Sequence, residues 1–191
     1  MAERAVSAGE SAAERYVAFL RGINLGKRRP PMSRLRALFR EMAFEDVETF
    51  IASGNVLFVS RGMKEAAIEA MIARCLEESL GYPVDTFVRT TEEVIAIGGA
   101  KMFPEDSEEG MTIHVGFLHE ELAPEVARQL TAIGTARDAF RVKAREFYWL
   151  CRGRMSDSKV WTSPEVKALR LPTSSMRNIT SIRKLIAKHL A

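Results

Sequence analysis

RYVAFLRGINLGKRRPPMSRLRALFR, residues 15–40, sets the pattern of the fold. Tyr16 to Arg21 is a short apolar run closed by glycine, the signature of a buried strand. From Met32 the apolar positions Met32, Leu35, Leu38, Phe39 and Met42 recur at helical spacing, and Pro31 suits the helix entry. Between strand and helix lie Gly22 and Gly26. The stretch holds eight Lys or Arg residues and no Asp or Glu. A glycine loop that feeds a helix amid unopposed cations is arranged to hold an anion.

Beyond this stretch, Val47 to Ala52 predicts a second strand, Ser53-Gly54-Asn55 a tight turn and Val56 to Ser60 a third strand, so strands two and three form a hairpin. Ile68, Met71, Ile72, Cys75, Leu76 and Leu80 mark a long helix closed by Gly81, and Val84 to Arg89 a fourth strand. The order βαββαβ is the split-βαβ, or ferredoxin-like, motif. Thr90 with Glu93 predicts a capping box for a short helix ending at Gly98-Gly99. An acidic, flexible loop is expected over 101–110.

The pattern then restarts. Ile113-His114-Val115-Gly116-Phe117-Leu118 echoes Tyr16-Val17-Ala18-Phe19-Leu20. A helix begins at Pro124, a hairpin turns around Lys143 to Glu146, a short helix covers Pro164 to Leu169, and a closing helix runs through Ile179, Ile182, Leu185, Ile186 and Leu190. The second half reads βαββα. The expected class is α+β: two coupled ferredoxin-like (βαββαβ-type) halves, at 15–90 and 111–191, from an internal duplication. A disordered extension over 1–14 precedes them, and a helix and acidic loop over 91–110 join them.

Composition narrows the class. No apolar run approaches the ~20 residues of a membrane helix, and residues 1–14 lack the apolar region of a signal peptide. The two cysteines, Cys75 and Cys151, form no CxxC pair, which argues against structural zinc and for a reducing cytoplasm. Charge is segregated: residues 166–191 carry six cations and no acid, whereas 91–125 carry nine acids and one lysine. Such polarity either steers an anionic partner or forms two solvated faces.

Tyr16 to Gly26, Pro31-Met32, Leu35-Arg36-Ala37-Leu38 and Ser53-Gly54-Asn55-Val56 resemble the bacterial family of unknown function DUF1697. His114 to Leu118, Ser158-Lys159 and Arg177-Asn178 look like its C-terminal landmarks, so the similarity spans roughly 16–187. The family commonly has a tryptophan where this chain has Ile179, and often a second glycine where Lys27 follows Gly26. The resemblance implies a two-part α+β fold and no established activity.

The candidate ligand-binding residues are Arg21, Gly22, Asn24, Gly26, Lys27, Arg28, Ser53, Asn55, Arg177 and Asn178. Gly22 and Gly26 permit left-handed backbone, so successive N–H groups can form an anion nest in front of the positive end of a helix. Arg21 could clamp phosphate or carboxylate, and Asn24 could orient it. Equally, both could tie the loop to the second half. The glycine spacing is neither that of the P-loop nor that of the dinucleotide fold. Ser53 and Asn55 shape the hairpin turn or line the same cleft. Asn178 is a natural N-cap, and Arg177 a second cation for an anion held by the first half.

No metal, cofactor or catalytic residue is assigned. His114, His119 and His189 are dispersed, no GxSxG elbow occurs, and no general base is evident. The leading expectation is a cytoplasmic binding module for a small anionic ligand, such as a phosphate-bearing one, at the cleft between the two halves. The alternatives are a nucleic-acid-binding protein using the basic segments, an uncharacterised small-molecule enzyme and a protein-interaction module of unknown partner. Phe19 and Phe58 would either stack bases, as in RNA-binding domains on such sheets, or belong to the core.

Overall fold

A computed structural model describes residues 12–24, 26, 29–50, 54–106 and 109–190. Strands β1 (Ala13–Arg21), β2 (Glu45–Phe50), β3 (Asn55–Arg61) and β4 (Asp85–Thr90) form one antiparallel sheet in the order β2-β3-β1-β4. Helices α1 (Met32–Glu41) and α2 (Glu65–Leu80) interleave with them, and α3 (Thr91–Gly99) follows. Strands β5 (Met111–Phe117), β6 (Asp138–Lys143), β7 (Glu146–Arg152) and β8 (Ser175–Asn178) form a second antiparallel sheet in the order β6-β7-β5-β8. Helices α4 (Pro124–Ala132), α5 (Pro164–Ala168) and α6 (Ile179–His189) complete the chain.

Alternation along the strands sets the layers, because successive side chains leave opposite faces of a sheet. Tyr16, Ala18, Leu20 and Phe58 meet Leu35, Leu38 and Phe39 of α1 and Ile68, Ile72 and Leu76 of α2. Val17, Phe19, Leu57 and Phe87 face the other way. They join Ile113, Val115, Phe117, Tyr148 and Leu150 of the second sheet in a central layer, to which α3 and α6 also contribute. Phe140, Phe147, Trp149 and Cys151 pack outward with Leu130 of α4. Phe19 and Phe58 thus lie buried on opposite faces of one sheet, and neither is presented to a nucleic-acid base.

Phe19 and Phe117, the matched phenylalanines of the two echoing strands, stack at 3.9 Å between ring centroids in the middle of that layer. Around this pair the two halves repeat each other. Leu20 N–H donates to Gly54 O, and Leu118 N–H donates to Arg145 O, each at 2.9 Å. Val17 is opposite Arg89 in β4, and Val115 is opposite Arg177 in β8.

Most predicted elements are found, with three corrections. Ala13 and Glu14 belong to β1, paired with Arg61 and Ser60, rather than to the extension; residues 1–11 lie outside the described set. β8 gives the second half its fourth strand. Its sequence, Ser-Met-Arg-Asn, has no strand signal, and pairing with β5 creates it. The acidic segment is anchored where it is described: Phe103 is buried, Glu105 pairs with Arg152 at 2.6 Å, and Asp106 pairs with Arg183 of α6. The Arg183 pair joins the acidic segment to the basic C-terminal one, so part of the segregated charge is neutralised within the fold. The helix at Thr90 carries its capping box with Glu93 as predicted.

Gly116 shows how tightly the second sheet is packed. A Cβ there would lie 2.0 Å from Cζ of Phe147, a buried ring beside Trp161. Gly116→Ala is expected to destabilise the protein by about 1–3 kcal/mol through overpacking. A lower urea midpoint with an unchanged m value would show this.

Candidate functional site

The glycine loop leaves the end of β1 and enters α1. Gly22 and Gly26 both have left-handed backbone, at φ 85° and 59°. Helix α1 follows Pro31, its N-cap residue, without a side-chain cap, and no acid occupies its first turn. Its leading N–H groups therefore have no side-chain cap among the described residues, and the positive end of the helix dipole is unopposed by an Asp or Glu of that turn. Arg21 is half exposed and pairs with Asp85 at 3.0 Å. Asn24 is half buried and Gly26 exposed. Lys27, Arg28 and Ser53 lie outside the described residues.

Beneath this loop is the turn at Gly54. A Cβ on Gly54, whose φ is 76°, would lie 2.6 Å from Ile23 and 3.2 Å from Leu20, so only glycine lets the turn dock against the loop. Asn55 Nδ2 donates to Phe50 O at 3.3 Å, bridging the hairpin. Tyr82 Oη reaches Ile23 O at 3.5 Å.

Arg177 comes to the same place from the second half. Its Nη2 donates to Leu20 O at 2.8 Å and Gly54 O at 3.4 Å, and its Nε donates to Asn55 Oδ1 at 2.7 Å. Nη1 donates to Met176 O and Ser175 Oγ, each at 2.9 Å. Burial disfavours the charged guanidinium and pushes its pKa down to about 10. The expected second cation is thus turned inward as a clamp under the loop. Asn178 caps α6, accepting from Thr180 N–H at 2.8 Å. The structure brings the loop, Gly54, Asn55 and Arg177 together and assigns Asn178 to the helix.

Arg89, which sequence reading passed over as the end of a strand, is the counterpart of Arg177. Its Nη2 donates to Leu118 O at 2.7 Å and Arg145 O at 3.2 Å, its Nη1 to Val88 O at 2.7 Å, and its Nε to Glu146 Oε1 at 2.6 Å. Each half therefore sends one arginine across the central layer to the corresponding carbonyls of the other. Each arginine also lies near the phenylalanine of that other half: Arg89 at 5.6 Å from Phe117, Arg177 at 5.9 Å from Phe19. The difference is the partner on β3 or β7: Arg89 meets a carboxylate and Arg177 meets an amide oxygen at Asn55. Burial pushes the Glu146 carboxyl up, against the opposing pull of Arg89. As a polar residue at the end of a predicted strand, Arg89 gave no signal of this role.

Hollows lie elsewhere on the molecule. One of about 590 Å³, lined by Ile133, Arg137, Asp138 and Lys159, adjoins buried Asp138. That carboxylate accepts from Trp149 Nε1 and Ser158 Oγ at 2.8 Å and from Thr135 Oγ1 at 3.0 Å. Ser158 thereby acts as a structural tie. Another hollow, of about 310 Å³, includes His119. His119 Nδ1 lies 2.9 Å from Glu69 Oε2 across the two halves, a pairing that a separation of 50 residues kept out of any local pattern.

The chain belongs to the family described as protein of unknown function DUF1697, whose model matches residues 13–148. A structure of the conserved bacterial protein SP0830 from Streptococcus pneumoniae is similar, with a TM-score of 0.72 and 21% identity, over 91% of this chain and 97% of that one. At that identity the likeness shows the fold. Comparison with curated proteins gives no match.

Proposed function

We propose that this DUF1697 member is a binding module for a small anionic ligand of the phosphate class, held by the loop at residues 21–29 and the first turn of α1. Its two halves are read as ferredoxin-like units related by duplication. The strand orders β2-β3-β1-β4 and β6-β7-β5-β8 support that reading. A cytoplasmic location is consistent with two free cysteines.

The observation that carries the binding reading is the start of α1. Its N–H groups have neither a side-chain cap nor a first-turn acid, and a loop with two left-handed glycines precedes it. Arg21 can supply a charge-assisted contact by exchanging partners. Its half-exposed ion pair with Asp85 contributes only about 0–1 kcal/mol, so an incoming anion displaces it at little cost. Arg177 supports the site from below by fixing the backbone at Leu20 and Gly54.

Calorimetric titration with inorganic phosphate and pyrophosphate tests this. Saturable binding is expected, with affinity at least about 10-fold weaker after Arg21→Ala and Lys27→Ala together, since two charge-assisted bonds are removed. Thermal unfolding should change little. Equal affinity in the double variant would refute the assignment. A steep log–log salt dependence of binding to a single-stranded oligonucleotide, with no phosphate binding, would favour nucleic acid on the basic segments instead.

A further inference from the structure

A second site, independent of the glycine loop, lies where His119 meets Glu69. Glu69 projects from α2 and is buried, at 8% exposure. A buried carboxylate is retained only where hydrogen bonds replace its water. Here Oε1 accepts Val88 N–H at 2.8 Å, and Oε2 faces His119 Nδ1 at 2.9 Å. The imidazole stacks on Phe87, with ring centroids 4.2 Å apart and planes 20° from parallel. The ring is thus fixed by a carboxylate at one edge and an aromatic face beneath.

Chemistry follows from which nitrogen the carboxylate takes. An ionised carboxylate only accepts, so Nδ1 of the neutral ring is the protonated nitrogen and Nε2 keeps the lone pair. Nε2 has no hydrogen-bond partner among the described residues, and the His119 side chain is 47% exposed. His119 also lines the cavity of about 310 Å³, whose wall includes Leu122, Val126, Leu169 and Pro172, with Glu120 and Glu121 beside His119. Arg170 lines the same cavity, a cation of the sign that stabilises developing negative charge on oxygen.

We propose that His119 is the general base of a hydrolytic site for small esters with an apolar acyl group, and that Glu69 is its positioning residue. Nε2 takes a proton from water as the water oxygen bonds to the acyl carbon, and the carbonyl π pair moves to oxygen. Collapse restores the C=O bond and breaks the ester C–O bond. The proton on Nε2 passes to the departing alkoxide, leaving carboxylic acid and alcohol. Water is the sole co-reactant. A fixed base with an open nitrogen, beside a cavity with an apolar wall and one arginine, supports this reaction class.

The test uses p-nitrophenyl butyrate with the full chain and two variants. His119→Ala removes the base. Glu69→Gln keeps shape and bonding: the amide oxygen still accepts Val88 N–H, which turns the amide NH2 toward Nδ1. Nδ1 must then accept, the proton moves to Nε2, and the base is lost without a packing change. Saturable hydrolysis is expected in the unaltered chain. In both variants kcat should fall on the order of 100-fold, with KM nearly unchanged in Glu69→Gln. Long-range ¹⁵N correlation spectra should show the His119 tautomer exchange from Nδ1–H to Nε2–H in Glu69→Gln. Hydrolysis no faster than an equal concentration of imidazole would overturn the proposal. So would unchanged kcat in Glu69→Gln together with the inverted tautomer.

Discussion

Arg89→Met is expected to lower stability by about 3–5 kcal/mol, the range for breaking a buried ion pair from one side. At roughly 2–4 °C per kcal/mol for a chain of this size, the melting temperature should fall by about 10 °C. The reason is Glu146. It is buried beside Arg89, and burial already pushes its carboxyl up while Arg89 pulls it back. Without the guanidinium, the folded state prefers the protonated acid more strongly than the unfolded state does. The folded state then binds the extra proton, so stability falls as pH rises from the ordinary carboxylate range through the raised value. The penalty at pH 7 should therefore exceed that at pH 5. Replacing both partners, as Arg89→Met with Glu146→Leu, removes the orphaned charge and should recover most of the loss. Urea unfolding of the unaltered chain, the two single variants Arg89→Met and Glu146→Leu, and the double variant at both pH values measures the coupling. Equal losses in the single and double variants would mean that the pair does not act as a unit.

Arg177→Met is expected to be costly for a different reason. The substitution withdraws donors from Leu20 O, Gly54 O and Asn55 Oδ1, all at the base of the glycine loop. Hydrogen bonds from a charged donor contribute about 1.5–3 kcal/mol each, and burial makes the abandoned acceptors costlier still. A loss of about 3 kcal/mol follows, read as a lower urea midpoint. It should also be local. The Leu20 N–H donates to Gly54 O beside the clamp, so its amide exchange should accelerate more than that of Leu118, its counterpart in the other half. Phosphate affinity should weaken in parallel, because the loop backbone would no longer be held in place before binding. A uniform increase in exchange at both positions would place Arg177 in general packing rather than under the loop.

Local signals were legible in the sequence. The helical spacing after Met32, the Thr90–Glu93 box and the glycine after Leu80 each depend on neighbouring residues, and each element appears where its signal lies. The echo between Val17-Ala18-Phe19-Leu20 and Val115-Gly116-Phe117-Leu118 had a physical counterpart in the central Phe19–Phe117 stack. What was hidden depends on distant partners. β8 is a strand because β5 offers it an edge, and its own four residues have no apolar alternation. Arg89 looks like an ordinary strand-end charge, and Arg177 like a free second cation ahead of the last helix, until the two halves close over them. His119 reads as a stray histidine after a strand, since Glu69 and Phe87 reach it only through the tertiary fold. In the glycine loop the residue types raised the expectation of an anion site, but the inward turn of Arg177 was not visible, because its acceptors lie 122 and 157 residues away.

The most direct measurement for the loop is a ¹H–¹⁵N correlation titration of the full chain with pyrophosphate. Binding at the start of α1 predicts saturable shifts concentrated on the amides of residues 22–29 and 32–34, absent from the variant with Arg21→Ala and Lys27→Ala. Shifts that fail to saturate, or that are spread evenly over the basic surface including the α6 lysines, would contradict a built anion site at this loop.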